Sequence, residues 1–119
     1  MREALIVSTA RTPIGKAYRG AYNNTNAPTL AALAIEAAVA RSGASKDQID
    51  DVIMGAALQQ GTTGGNIGRL SAMAAGLPTT VSGMSIDRHV IIAPVQNEIP
   101  MVSNTKAPAN MIKEILVIT

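Results

Sequence analysis

Val52-Ile53-Met54-Gly55-Ala56, residues 52–56 of the chain, form a short apolar run that follows a polar connector. Runs of this length and composition are typical of strands that are covered on both faces in a parallel sheet. A glycine- and threonine-rich loop separates this run from a helix predicted over residues 67–75, which Asn66 can cap. Residues 81–87 are predicted to form the next strand. Strand, helix and strand at this spacing predict a parallel β-α-β unit.

The alternation continues toward the amino terminus. Residues 4–8, Ala4-Leu5-Ile6-Val7-Ser8, are another continuous apolar run and are predicted to be the first strand. Residues 11–28 are rich in turn residues and are predicted to be a long loop. A helix then extends to Arg41, with Thr29 as its N-cap and Gly43 in the left-handed position that ends it. This helix is apolar nearly all round and is predicted to be buried. The predicted fold class is α/β, with three parallel strands and two helices.

The composition excludes several functions. The 119 residues suffice for one domain, and 47% hydrophobic against 15% charged residues argues against global disorder. No stretch approaches the roughly 18 apolar residues of a membrane-spanning helix, and the first residues do not form a signal peptide. Cysteine is absent, which excludes disulfides, cysteine metal sites and thiol nucleophiles among these residues. A net charge of +2 with two tyrosines as the only aromatic side chains argues against nucleic-acid binding.

The composition changes after Gly83, because every glycine of the chain occurs at or before that residue. This change indicates a junction just after the strand predicted at residues 81–87, and we separate residues 1–89 from a divergent tail, residues 90–119. Within the tail, residues 90–108 contain three prolines and are predicted to be irregular. Residues 114–119 are β-branched and apolar and are predicted to form an extra strand, although a helix from Ala109 also fits their spacing.

Two polar segments have both a functional and a structural interpretation. The loop Gly61-Thr62-Thr63-Gly64-Gly65-Asn66 precedes a helix and could hold an anion on free N–H groups. Its glycine spacing fits neither a P-loop nor a dinucleotide-binding turn, so a crossover with a capped helix is favoured. Asp47, Asp50 and Asp51 could suggest a cation site, but they lack the converging oxygens of one, so a solvated turn is favoured.

Asp87-Arg88-His89 follows the last strand of the β-α-β unit. Ligands of open α/β sheets bind beyond the carboxyl ends of the strands, so this tripeptide stands where a site is expected. Arg88 and His89 are the candidate site residues, and the single histidine leaves little for a metal site. The nucleophile-elbow context of a catalytic serine is lacking at Ser8, Ser71, Ser82 and Ser85.

Ordered segments across residues 1–88 resemble the amino-terminal part of thiolases. Residues 1–16, MREALIVSTARTPIGK, carry the resemblance first. Further segments keep the order and spacing of the family: Tyr18-Arg19-Gly20, Ala27-Pro28-Thr29-Leu30-Ala31-Ala32, Asp50-Asp51-Val52-Ile53-Met54-Gly55, Gln60-Gly61, Asn66-Ile67-Gly68-Arg69, Ala75-Gly76-Leu77-Pro78 and Met84-Ser85-Ile86-Asp87-Arg88.

The resemblance implies an acyltransferase. Thiolases cleave 3-oxoacyl-CoA with free CoA or condense two acyl-CoA molecules, so CoA is a co-substrate and no bound cofactor is expected. In the family a cysteine attacks the thioester, a histidine activates it, and a second cysteine moves the substrate proton. The implied partners are acyl-CoA and CoA, together with further copies in a homo-oligomer; no nucleic acid or membrane is expected. The absence of a signal peptide predicts a cytoplasmic protein.

The sequence departs from the family at the expected nucleophile. Where the family has Asp-Arg-Gln-Cys, this chain has Asp87-Arg88-His89-Val90. Val90 therefore occupies the position of the nucleophilic cysteine, and valine has no nucleophilic atom. Arg88 and His89 remain as the expected rim of the active site, with no catalytic residue and no metal. We expect a truncated thiolase-type chain that is inactive alone; the alternative is a non-catalytic thiolase-like module that binds a partner subunit.

The resemblance also implies a position for the first strand. In the family it lies in the middle of the sheet of a half domain, beside the second strand. Without the later strands, residues 4–8 would form an exposed apolar edge that invites association. Residues 114–119 could pair beside them as a substitute strand.

Overall fold

The computed structural model describes residues 4–16, 18–86 and 114–117. It contains two α-helices and three strands: α1 (Ala27–Ser42), β1 (Asp51–Gly55), α2 (Ile67–Ala74), β2 (Ser82–Ile86) and β3 (Glu114–Val117). Two short 3-10 helices, Lys46–Gln48 and Gly61–Thr63, lie in the connections before and after β1. The fold is α/β, as predicted.

Helix α1 begins three residues earlier than the capping pattern predicts. Asn26 is the N-cap, although its side chain makes no capping bond, and Pro28 lies in the first turn, where its missing N–H has no helical partner to lose. The prediction that Thr29 caps the helix is therefore wrong, because Thr29 already lies inside the first turn. Gly43 ends the helix with φ of 72°, which confirms the predicted left-handed position.

One face of α1 is buried. Ile35 is fully buried, but Leu33 on the other side of the helix is 54% exposed. The prediction that this helix, apolar nearly all round, is buried is therefore wrong for the face that carries Leu33. Its many alanines reduce the contrast between the two faces in the sequence, although only one face packs on the core.

Strands β1 and β2 form the predicted parallel pair, with α2 connecting them. The register runs from Asp51 beside Ser82 to Gly55 beside Ile86. On its other side β1 pairs in parallel with β3, from Asp51 beside Glu114 to Met54 beside Val117. The strand order is therefore β2-β1-β3, with β1 in the middle.

The predicted first strand is not observed. Residues 4–16 contain neither helix nor strand, and Leu5 and Ile6 are 55% and 74% exposed. A strand needs a hydrogen-bonding neighbour, and β3 occupies one side of β1 while β2 occupies the other. Residues 114–117 do form a strand, but it pairs with β1 and not with residues 4–8. The predictions for residues 90–108 and for a boundary at residues 89–90 fall outside the described residues.

The core lies between the sheet and the two helices. Val52 and Met54 alternate along β1 toward the helices and are almost completely buried. They belong to one cluster with Ile35 of α1 and Ala72 of α2. Met84 and Ile86 of β2 are 49% and 40% exposed, so the described residues leave part of the sheet uncovered.

Candidate functional site

The carboxyl ends of β1 and β2 lie at the same edge of the sheet. Gly55 pairs with Ile86, and one residue further the Ala56 N–H donates to the Ile86 carbonyl oxygen at 3.0 Å. The loop of residues 56–66 starts at this edge and leads to α2. Ligands of open α/β sheets bind at this edge, which is therefore the candidate site.

The predicted site residues follow β2 directly. Ile86 ends β2, and Asp87, Arg88, His89 and Val90 lie outside the described residues. The structure brings the chain to the candidate edge at Ile86, and the roles of Arg88, His89 and Val90 stay predictions.

Asn66 fastens the start of α2 to β2. Its backbone has φ of 57°, a left-handed conformation that asparagine tolerates better than most residues. The Asn66 Oδ1 accepts hydrogen bonds from the Arg69 N–H and the Ser85 hydroxyl, each at 3.1 Å. The Asn66 Nδ2 donates to the Gly83 carbonyl oxygen at 2.9 Å. One side chain thus confirms the predicted cap and joins the helix to the strand.

The start of α2 has little free N–H capacity for an anion. The Gly68 N–H donates to the Ser85 hydroxyl at 3.3 Å, and the Arg69 N–H donates to Asn66. The Leu70 N–H already donates to the Asn66 carbonyl oxygen at 3.1 Å. The structure therefore favours the structural interpretation of the glycine-rich loop.

Two glycines let α2 and β2 approach each other closely. A Cβ atom on Gly68 would overlap the Met84 carbonyl oxygen, and one on Gly83 would overlap the Arg69 backbone. Neither the Met84 carbonyl group nor the Arg69 backbone can move without shifting its whole strand or helix. Any side chain at these positions would push α2 away from the strand whose end reaches the candidate site.

The other candidate groups do not converge on this edge. The Asp51 carboxylate accepts the Val52 N–H at 2.8 Å, and within residues 4–16 and 18–86 no three acidic or histidine side chains gather for a metal. Ser71 is completely buried inside α2, out of reach of a substrate, and its hydroxyl has no partner among the described residues. No helix in the described part of the chain has the length and apolar character needed to cross a membrane.

Comparison with known proteins assigns the fold to a family. The profile of the thiolase N-terminal domain matches residues 4–91 of the chain. The chain belongs to the thiolase family. This confirms the resemblance carried by the motifs between residues 1 and 88, and the match includes the β-α-β unit and the positions of Arg88, His89 and Val90.

Three relatives illustrate the similarity to known thiolases. The chain is 38% identical over 89 residues to a 3-ketoacyl-CoA thiolase of Bacillus subtilis, covering 75% of this chain and 23% of the relative. It is 43% identical over 89 residues to a 3-oxoadipyl-CoA/3-oxo-5,6-dehydrosuberyl-CoA thiolase of Escherichia coli, covering 74% and 22%. It is 42% identical over 88 residues to an acetyl-CoA acetyltransferase of Cupriavidus necator, also covering 74% and 22%. The chain thus spans less than a quarter of the length of these relatives.

In this thiolase-family chain, Arg69 has a structural role that the sequence does not predict. Its guanidinium donates from Nη1 to the Val81 carbonyl oxygen and from Nη2 to the Thr79 carbonyl oxygen at 2.9 Å. Both carbonyls lie in the turn that leads into β2. In the sequence Arg69 is one of several scattered basic residues, and only its place in the Asn66-Ile67-Gly68-Arg69 motif marks it. Arg69 therefore holds α2 against the turn that leads into β2, the strand whose carboxyl end reaches the candidate site.

Proposed function

We propose that residues 4–86 form part of the scaffold of a thiolase-type acyltransferase. Its reaction is thiolytic cleavage of a 3-oxoacyl-CoA or condensation of acyl-CoA molecules, with CoA as co-substrate. The observation that carries the proposal is the family match over residues 4–91, which contains the whole β-α-β unit. The names of the relatives, 3-ketoacyl-CoA thiolase and acetyl-CoA acetyltransferase, support the same class of substrate.

We infer further that the 119-residue polypeptide does not catalyse thiolysis by itself. From the resemblance we expect the family nucleophile at residue 90, where this chain has Val90, and cysteine is absent from all 119 residues. A thioester can be attacked only by a group with an available electron pair, which a valine side chain does not offer. Arg88 and His89 would border the acyl-CoA site without supplying a nucleophile.

The scaffold is tested by exchanging it into an active relative. Residues 4–86 of this chain replace the matched segment of the Bacillus subtilis 3-ketoacyl-CoA thiolase, which keeps its own residues from the end of β2 onward. We expect the chimera to consume acetoacetyl-CoA in the presence of CoA, measured by the loss of 3-oxoacyl thioester absorbance. A chimera that folds and assembles like the parent enzyme but shows no turnover would contradict the proposal.

The inactivity of the 119-residue polypeptide is tested in the same assay. The purified protein should give no turnover above the blank, whereas the parent relative serves as the positive control. Turnover that copurifies with the 119-residue protein through two different columns would overturn the inference.

A second candidate is a non-catalytic thiolase-like module that binds a partner subunit, including another copy of this chain. Its support is the exposed apolar surface at Met84 and Ile86 on β2. A stable, monodisperse oligomer that does not bind CoA would favour this candidate. A monomer at micromolar concentration, with no complex formed on co-expression with a thiolase, would exclude it.

A further inference from the structure

One side of β1 carries a strand from the far end of the chain. Residues Glu114–Val117 form β3 and pair in parallel with β1 over four consecutive positions. Residues 4–8 have the apolar composition of a strand but no strand partner, and Leu5 and Ile6 are largely exposed. The molecule thus has two segments able to form a strand, and β2 leaves only one side of β1 for them.

The handedness of β-α-β crossovers indicates where residues 4–8 would enter the sheet. Helices α1 and α2 pack together with Val52 and Met54 in one core, so both lie on the same face of β1. A right-handed crossover through α2 leads from β1 to β2 in one direction across the sheet. A right-handed crossover through α1 on the same face must lead into β1 in that same direction. A strand before α1 would therefore lie on the side of β1 away from β2, which is where β3 lies.

We propose that this side of β1 is a strand-accepting site for which residues 4–8 and β3 compete. The side offers a single row of backbone donors and acceptors, so the two segments exclude each other. In the structure β3 holds the site. When β3 leaves, residues 4–8 enter it, and Leu5 and Ile6 lose much of their exposure.

A hydrogen bond at the end of α1 marks the displaced position of the amino-terminal segment. The Thr9 carbonyl oxygen accepts from Arg41 Nη1 at 2.8 Å, and Arg41 lies in the last turn of α1. A strand beside β1 and parallel to it would end level with the carboxyl end of β1, near the start of α1. Arg41 lies at the other end of that helix. Entry of residues 4–8 into the sheet therefore requires this bond to break.

The competition is tested by disabling β3 in the full-length chain. The variant carries Ile115→Pro together with Leu116→Pro. Because alternate residues of an edge strand direct their N–H groups to the neighbour, one of two adjacent prolines must remove a donor to β1. Amide hydrogen exchange is then followed across residues 4–8. We expect exchange there to slow by about tenfold or more relative to the unmodified chain, while the amides of β2 keep their protection.

A matched control places the proline in the competing segment. Ile6→Pro alone should leave exchange in β1 and β3 unchanged, and combined with the two tail prolines it should abolish the protection gained by residues 4–8. If the tail prolines leave residues 4–8 unprotected while β2 stays protected, the proposal is wrong. It is equally wrong if the gain depends on protein concentration, because the strand would then come from a second copy.

A covalent lock provides an independent test. The chain has no cysteine, so Ile53→Cys with Leu116→Cys introduces a single pair at a position where the register joins β1 to β3. Neighbouring strands lie about 4.8 Å apart, within the Cα separation of disulfides. We expect the oxidised variant to keep residues 4–8 in fast exchange. Failure of the disulfide to form in the folded protein, or protection of residues 4–8 after it has formed, would overturn the proposal.

Discussion

Residues 52–54 and residues 5–7 are two apolar runs of similar composition, but only the first run forms a strand. Val52 and Met54 are almost completely buried, and β1 has a strand on each side. Leu5 and Ile6 are exposed, and their segment forms no strand. The difference shows that apolar composition identifies segments able to form a strand, whereas the available pairing positions decide which of them does.

The neighbours of the two runs explain their different outcomes. Strand β1 packs against both helices and is joined to β2 through α2, whose close approach to β2 depends on Gly68 and Gly83. Residues 4–8 are joined only to a loop, and the site beside β1 that crossover handedness assigns to them holds β3. The following variants test the comparison, beginning with the one expected to have the largest effect.

Gly83→Ala should disrupt the packing of α2 against β2, the two neighbours that β1 has and residues 4–8 lack. The new Cβ would overlap the Arg69 backbone, so α2 must move away from β2. We expect a loss of about 3 kcal/mol or more in the free energy of unfolding, measured by urea denaturation. Gly55→Ala is the control, because nothing lies within 4 Å of a Cβ at that position; we expect a change of less than about 0.5 kcal/mol. Equal losses in the two variants would contradict the close-approach account.

Val52→Ala and Ile6→Ala measure the comparison directly. Val52 is fully buried in the core, so we expect its truncation to lower the free energy of unfolding by about 2 kcal/mol. Ile6 is 74% exposed, so truncation there should change it by less than about 0.5 kcal/mol. An Ile6→Ala loss as large as that of Val52→Ala would mean that residues 4–8 are part of the folded core.

Asn66→Ala should weaken the connection between α2 and β2 without creating a clash. It removes the acceptor for the Arg69 N–H and the donor to the Gly83 carbonyl oxygen. We expect a loss of about 1–2 kcal/mol in thermal or urea unfolding. Asn66→Asp keeps the capping oxygen and loses only the donor, so its loss should be smaller. The cap is unimportant if both variants unfold like the unmodified chain.

Ser71→Ala should produce the smallest change, and in the opposite direction. The Ser71 hydroxyl is buried without a partner among the described residues. Removing it from the core should raise the free energy of unfolding by about 0.5–1 kcal/mol. Ser42→Ala is the contrasting variant, since its hydroxyl donates to the Val39 carbonyl oxygen at 2.7 Å. A destabilised Ser71→Ala would show that this hydroxyl does have a partner.

Local patterns in the sequence predict much of the fold. The apolar run at residues 52–56, the asparagine before α2 and the glycine after α1 are each interpretable from nearest neighbours in the chain. The failed strand at residues 4–8 depends on which distant segment pairs with β1. Similarly, the exposure of Leu33 depends on which face of an alanine-rich helix meets the sheet.

The candidate site shows the same division between local and distant information. The edge at which β1 and β2 end follows from a parallel β-α-β unit, and the structure confirms it at Gly55 and Ile86. Local patterns do not predict the contacts of Gly68, Gly83 and Arg69, because each joins residues on different elements. A glycine inside a helical pattern and another inside a strand pattern are the local signals that could have indicated the close approach.

The most direct test of the comparison is amide hydrogen exchange of the unmodified chain, resolved to single residues. We predict slow exchange in β1, including Val52 and Met54, slow exchange at the amides of β3 that face β1, and fast exchange across residues 4–8. Protection of residues 4–8 together with fast exchange across residues 114–117 would contradict the account, because the amino-terminal run would then hold the place beside β1.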